Sequence, residues 1–195
     1  DFVSEKLRIA RGEELGYEQD DVSWIGHSIE ARLYAEDPSN DFLPETGTLI
    51  ACEEDPHAEA RWDTGVETGS IVGTSFDPML AKVISYGATR TDAASKLARA
   101  LEAAHIGGLT TNRDFLVATL KTKEFLDGDT TTDFITRVKP PRSLELSEEH
   151  IKHVTSIAAL WIQELNRLND HVSGHLPSGW TNGRTPKKNI KFRYK

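Results

Sequence analysis

From Ile25 to Glu36 apolar and polar positions alternate. Ile25, His27, Ile29, Ala31, Leu33 and Ala35 make one set, apolar except for His27, and Ser28, Glu30, Arg32, Tyr34 and Glu36 make the other. Successive side chains of a strand point to opposite faces, so the pattern predicts a strand over residues 22–35 with one face in a core. Shorter strand-like runs follow at residues 48–52, 59–64 and 79–86, joined by connections rich in Pro, Gly, Asp and Asn. Before them, Phe2, Val3, Leu7, Ile9 and Ala10 share one helical face, and Gly12 is the expected stop. After them, Thr-x-x-Asp recurs at Thr89, Thr111 and Thr130, an acidic variant of the capping box that announces three helices. Ala93, Ala94, Leu97, Ala98, Leu101 and Ala104 form a stripe of period 3.6 on the first of these. Phe115, Leu116, Thr119 and Leu120 serve the second, and the third is short, around residues 134–138. Strands followed by helices, without strict alternation, predict an α+β fold: an antiparallel sheet with packed helices.

Pro140 and Pro141 close that module. Ser147 then caps a long helix whose apolar residues Ile151, Val154, Ala158, Trp161, Leu165, Leu168 and Val172 are spaced by three and four. That spacing suits a coiled coil or a bundle. Residues 157–162, however, are apolar without interruption, and a helix apolar on all sides must be enclosed. At the end, Ile190, Phe192 and Tyr194 alternate with Lys191, Arg193 and Lys195, as in one strand of a further sheet. A lone strand is not stable, so its partners are expected beyond this chain.

Composition narrows the function. A hydrophobic fraction of 37% with 28% charged residues fits a globular protein, and 195 residues hold one domain with an appendage. A formal charge of -8 argues against general binding to nucleic acid or anionic membranes. The single Cys52 forms no internal disulfide, which points to a reducing compartment. No apolar run approaches the roughly 20 residues of a membrane helix. The chain opens on Asp1 and its only methionine is Met79, as expected of a piece of a longer polypeptide. No phosphate-binding glycine loop, paired-cysteine motif or nucleophile elbow is present. The seven histidines are scattered, so no metal site is expected. What remains is the polar face around Arg32. It is either solvated sheet surface, or the lining of a site where Arg32 holds a planar anion or carbonyl.

Longer stretches carry a resemblance. "LRIARGEEL", "GHSIEARLYAEDPSNDFLPETGTL", "RWDTGVETGSIVGTSFDPMLAKVISYG", "IGGLTTNRDFL" and "DGDTTTDFI" occur in the order and spacing of the C-terminal region of biotin carboxylase. The rest, with "LPSGWTNG", resembles the region that follows it in acyl-CoA carboxylase α subunits of the acetyl-/propionyl-CoA type. There a long helix is wrapped by an antiparallel barrel that docks the carboxyltransferase. The resemblance implies three parts. Residues 1–17 end the ATP-grasp region, 18–139 form the biotin carboxylase C-terminal domain, and 140–195 hold a linker, the long helix and the first strand of a truncated docking domain.

By the same resemblance the chain is a fragment of a ligase. That ligase carboxylates biotin with ATP and bicarbonate, for transfer to acetyl- or propionyl-CoA. Arg32 falls on the family's catalytic arginine, suited to stabilise an enolate-like ureido oxygen. Asp77 falls on an acidic position that either orients that arginine or is a turn residue before Pro78. Arg61 matches an interface arginine, and Trp161 lies on the helix that would face the second subunit. Implied cofactors of the complete enzyme are biotin, ATP and Mg2+, with none bound to this fragment, which should be inactive alone. Implied partners are a biotin carboxyl carrier domain, a carboxyltransferase β subunit and further copies of the chain, with no nucleic acid and no membrane. The implied location is cytoplasmic, or the mitochondrial matrix in a eukaryote. A non-catalytic assembly module, or the same domain of a methylcrotonyl-CoA or pyruvate carboxylase, are the alternatives. Without its barrel, the long helix is expected to self-associate, to pack back on residues 18–139, or to be poorly ordered.

Overall fold

The computed structural model describes residues 1–169 and Lys191, and the chain divides into a unit Asp1–Leu144 and a unit Glu145–Lys195. The first begins with α1 (Phe2–Ala10), capped by Asp1, whose side chain accepts a hydrogen bond from Val3 N at 2.9 Å. Strands β1 (His27–Tyr34), β2 (Glu36–Asp37), β3 (Leu43–Pro44), β4 (Gly47–Thr48), β5 (Ala51–Glu53), β6 (Ala60–Thr64), β7 (Ile71–Val72) and β8 (Met79–Gly87) follow. Helix α2 (Arg90–Ala103), β9 (His105–Gly107), α3 (Arg113–Leu120), α4 (Lys123–Asp127) and α5 (Phe134–Val138) complete the unit. The main sheet has the order β1-β8-β6, and β2-β3, β4-β7 and β5-β9 pair separately, all antiparallel. The α+β architecture is the expected one.

Helix α2 covers the inner face of the main sheet. Its Ala93, Ala94, Leu97, Ala98 and Leu101 pack with Ile29 and Ala31 of β1, Val83 of β8 and Leu120 of α3. The helix lies close because the contact is made of small residues. A Cβ on Gly87 would stand 2.4 Å from Ala93 N. The buried Ser85 hydroxyl donates to Ala93 O at 2.8 Å, whereas Trp62 Nε1, against the same cluster, is buried without a partner among the described residues. A second cluster, Leu33, Ala35, Leu49, Val72, Leu80 and Ala81, forms where the β1–β8 register slips. Leu33 faces Ala81 but Tyr34 faces Met79, so Leu80 is an extra residue. This bulge lets consecutive Leu80 and Ala81 both turn inward.

Four local expectations are corrected. The first strand starts at His27, five residues later than its alternation suggested, and Ile25 is 78% exposed. His27 pairs with the last residue of β8, Gly87, so β8 offers no ladder partner to earlier residues, and Gly26 turns the chain at φ 69°. The run at residues 48–52 is two strands, β4 and β5, with different partners and the buried Leu49 between them. The Thr-x-x-Asp signal caps only α2, where the Thr89 hydroxyl accepts from Asp92 N at 3.1 Å. At the other two sites the cap residues are Asn112 and Asp133, neither making a side-chain cap bond. Helix α4, capped by Thr122 and ended by Gly128 at φ 82°, is too short to show a period in the sequence.

In the second unit, α6 (Glu148–Asn169) starts as expected, with the Ser147 hydroxyl accepting from His150 N at 3.2 Å. Its apolar residues Val154, Ile157, Leu160, Trp161 and Leu168 are exposed, Trp161 at 66%. Val172, His171, His175 and the alternation of residues 190–195 lie outside the described residues, apart from Lys191. A continuous apolar helix surface of this kind drives association. The 195-residue chain is expected to self-associate in sedimentation, and Trp161→Glu to shift it toward monomer with the far-UV spectrum unchanged. A wild-type chain that stays monomeric at high concentration would count against that expectation.

Candidate functional site

The outward face of the main sheet is set by the ladder. Arg32 of β1 lies opposite Lys82 of β8, which lies opposite Asp63 of β6, and Glu30, Ile84 and Arg61 form the next row. The inward neighbours Ala31, Leu33 and Val83 are buried, so Arg32 stands on the far side from the core, as its position in the alternation requires. Its side chain is 60% exposed, and its Nε donates to Glu30 Oε1 at 3.1 Å. That hydrogen bond first, and then Tyr34, raise the guanidinium above its ordinary pKa, so it stays charged throughout the working range of pH. No other carboxylate pairs with Arg32 among the described residues. Lys82 lies directly opposite, and with Glu30 beside Arg32 and Asp63 opposite Lys82 the face alternates cations and carboxylates.

Arg61 is differently placed. Its Nε and Nη2 bind both oxygens of Asp63 at 2.8 Å, a two-pronged pair on its own strand that holds the Asp63 carboxyl below its ordinary range. Asp77 accepts from Met79 N at 2.8 Å, closing the turn that leads into β8. Its charge acts on Glu36 rather than forming a hydrogen bond with Arg32. Trp161 belongs to the other unit. A depression of about 570 Å³ is lined by Asp55, His57, Glu59, Lys96 and Arg99 and does not include Arg32. Its Lys96 is already paired with Glu59 at 2.7 Å. Among the described residues, no group of three His, Cys, Asp or Glu is arranged to hold a metal ion.

Partial burial pushes the Glu36 carboxyl above its ordinary range, and Asp77 adds to the shift. The fold therefore favours the protonated form. The stabilising contribution is complete below the unfolded carboxylate pKa and is lost as pH rises through the higher folded value. Glu36→Gln is expected to raise the thermal midpoint at pH 7 and to give no such gain at pH 3. An equal gain at both pH values would show that ionisation is not the cause.

Two residues of this region were not singled out by the sequence. Glu30 is an ordinary strand carboxylate by pattern, yet its spacing of two from Arg32 puts both on one face. Asn112 lies 80 residues from Arg32 in sequence, and its Nδ2 donates to Arg32 O at 3.1 Å. No local signal marks that contact.

The geometry can do one thing well. A permanently charged guanidinium, fixed on a sheet and open outward, can stabilise negative charge developing on a planar oxygen. The chain is 42% identical over 135 residues to biotin carboxylase 2 of Bacillus subtilis, covering 69% of this chain and 30% of that protein. It is 38% identical over 142 residues to the human mitochondrial propionyl-CoA carboxylase α chain, covering 72% and 20%. The biotin carboxylase domain of Hydrogenobacter thermophilus 2-oxoglutarate carboxylase, solved as a dimer with MgADP, ADP and bicarbonate, superposes with a TM-score of 0.66 at 32% identity, covering 71% and 31%. The chain thus spans less than a third of the length of these relatives. The profile of the biotin carboxylase C-terminal domain matches residues 30–137, and the chain belongs to that family.

Proposed function

We infer that this chain forms one wall of the carboxylation site in a biotin-dependent acyl-CoA carboxylase with acetyl- or propionyl-CoA as acceptor. The observation that carries the reading is Arg32, bound at Nε by Glu30 and 60% exposed on the outward face of the sheet. Biotin, when bound, supplies the ureido nitrogen that receives the carboxyl group. Arg32 offers the neighbouring ureido oxygen two hydrogen-bond donors and a fixed positive charge. Glu30 fixes the guanidinium plane, and Asp77 shapes the turn that starts β8, the strand beside it. ATP and Mg2+ are not assigned to residues of this chain. The described residues offer neither a metal-ligand group nor a glycine loop to hold phosphates.

Residues 1–17 belong in this reading to the ATP-grasp region, 18–139 to the closing domain, and 140–195 to a docking segment. Arg61 contacts a second copy of the chain, Trp161 the carboxyltransferase β subunit, and a biotin carboxyl carrier domain visits the Arg32 face. The location is the cytoplasm, or the mitochondrial matrix of a eukaryote. No described helix is long and apolar enough to cross a membrane. The test is ATP hydrolysis by the complete polypeptide, measured with biotin and bicarbonate each present or withheld. Hydrolysis that requires both supports the reading, and hydrolysis indifferent to biotin defeats it. The 195-residue chain alone should show none.

A further inference from the structure

Arg32 sits on an edge strand, beside a flaw in its ladder. Among the described residues β1 pairs with β8 on one side only, and the bulge between Leu33 and Tyr34 interrupts that pairing next to the arginine. The free edge should leave the backbone of residues 32–34 to water, and a strand so held would let Arg32 wander. Asn112 occupies that edge. Its Nδ2 donates to Arg32 O at 3.1 Å, its Oδ1 accepts from Tyr34 N at 2.9 Å, and its own N donates to Tyr34 O at 3.1 Å. The donor–acceptor pair of one side-chain amide thus stands where a neighbouring strand would stand. Asn112 is 6% exposed, so water does not compete for these bonds. It is also the residue before α3, where an asparagine would ordinarily use its side chain to cap its own helix; here no such cap bond forms. The side chain is committed to β1 instead.

We propose that Asn112 is a positioning residue for the reaction, setting the direction in which Arg32 leaves the strand. Glu30 fixes the end of the arginine side chain and Asn112 fixes its root. This rests on the reading of Arg32 as the residue that stabilises the developing oxyanion.

A double-mutant cycle in the complete enzyme separates positioning from mere support of the fold. Asn112→Ala is expected to lower kcat for biotin carboxylation by about 10- to 100-fold, as for a small displacement of a catalytic group, with the KM for ATP unchanged. In an Arg32→Lys background, the same substitution should cost less than about 2-fold, because the group it positions is gone. Asn112→Asp gives a variant of the same shape should the alanine variant fold poorly. It keeps the acceptor for Tyr34 N but turns a carboxylate oxygen toward Arg32 O, and it should show the same dependence on background. Equal losses in both backgrounds, or a parallel rise in the KM for ATP, would overturn the proposal. A complete enzyme in which Arg32→Lys itself changes nothing would instead defeat the reading of Arg32, which the cycle reports separately.

Discussion

Arg32→Lys in the complete enzyme is expected to reduce biotin carboxylation by about 10²- to 10³-fold, the usual consequence of losing one preorganised donor to a developing oxyanion. Charge alone does not meet the requirement. Arg32 spends Nε on Glu30 at 3.1 Å and still keeps further donors, because a guanidinium has five in a rigid plane. A lysine has a single ammonium on a flexible stem. Drawn to Glu30, it withdraws from the oxygen; turned outward, it loses the partner that fixes it. ATP binding should be untouched, since no residue of this face is assigned to nucleotide. The thermal midpoint should also be unchanged, because the side chain is exposed and on the face away from the core. Near-normal turnover in the lysine variant would remove Arg32 from the site.

How much of this was legible in the chain depends on the range of the forces involved. The inward set Ile29, Ala31, Leu33 and Ala35 was readable because alternation is local and each of the four is buried. The stripe on α2 was readable for the same reason, and all six of its expected residues are buried. The start of β1 was not readable, because it is decided by where β8 ends, some sixty residues later at Gly87. The face on which Arg32 stands was legible, since parity along the strand settles it; parity assigns no chemical role. Its orientation was half legible: Glu30 is two residues away, whereas Asn112 reaches it only through the tertiary fold. The Thr-x-x-Asp signal at Thr111 failed for that reason, because the Asn112 side chain is more useful to the edge of β1 than to its own helix.

Leu97→Ala is expected to cost about 2–5 kcal/mol of stability, the range for removing a fully buried leucine from a core that closes only partly around the gap. Leu97 is 0% exposed and packs in the cluster that joins α2 to the sheet. Several neighbours in that cluster, Ala93, Ala94, Ala98 and Ala31, are alanines, which have no longer side chain to swing into a void. The upper part of the range is therefore favoured. For a domain of this size the thermal midpoint should fall by roughly 2–4 °C for each kcal/mol. Leu97→Met, which keeps the volume, should cost less than about 1.5 kcal/mol. The change also reaches the site, since Ala31 and Val83, in contact with this cluster, flank Arg32 and Lys82 along their strands. Loosening them should accelerate amide hydrogen exchange in β1 and β8 more than in the β2–β3 pair, which lies outside the cluster. A loss below about 1 kcal/mol, or exchange faster throughout the unit to the same degree, would mean that α2 does not anchor the strands that carry Arg32.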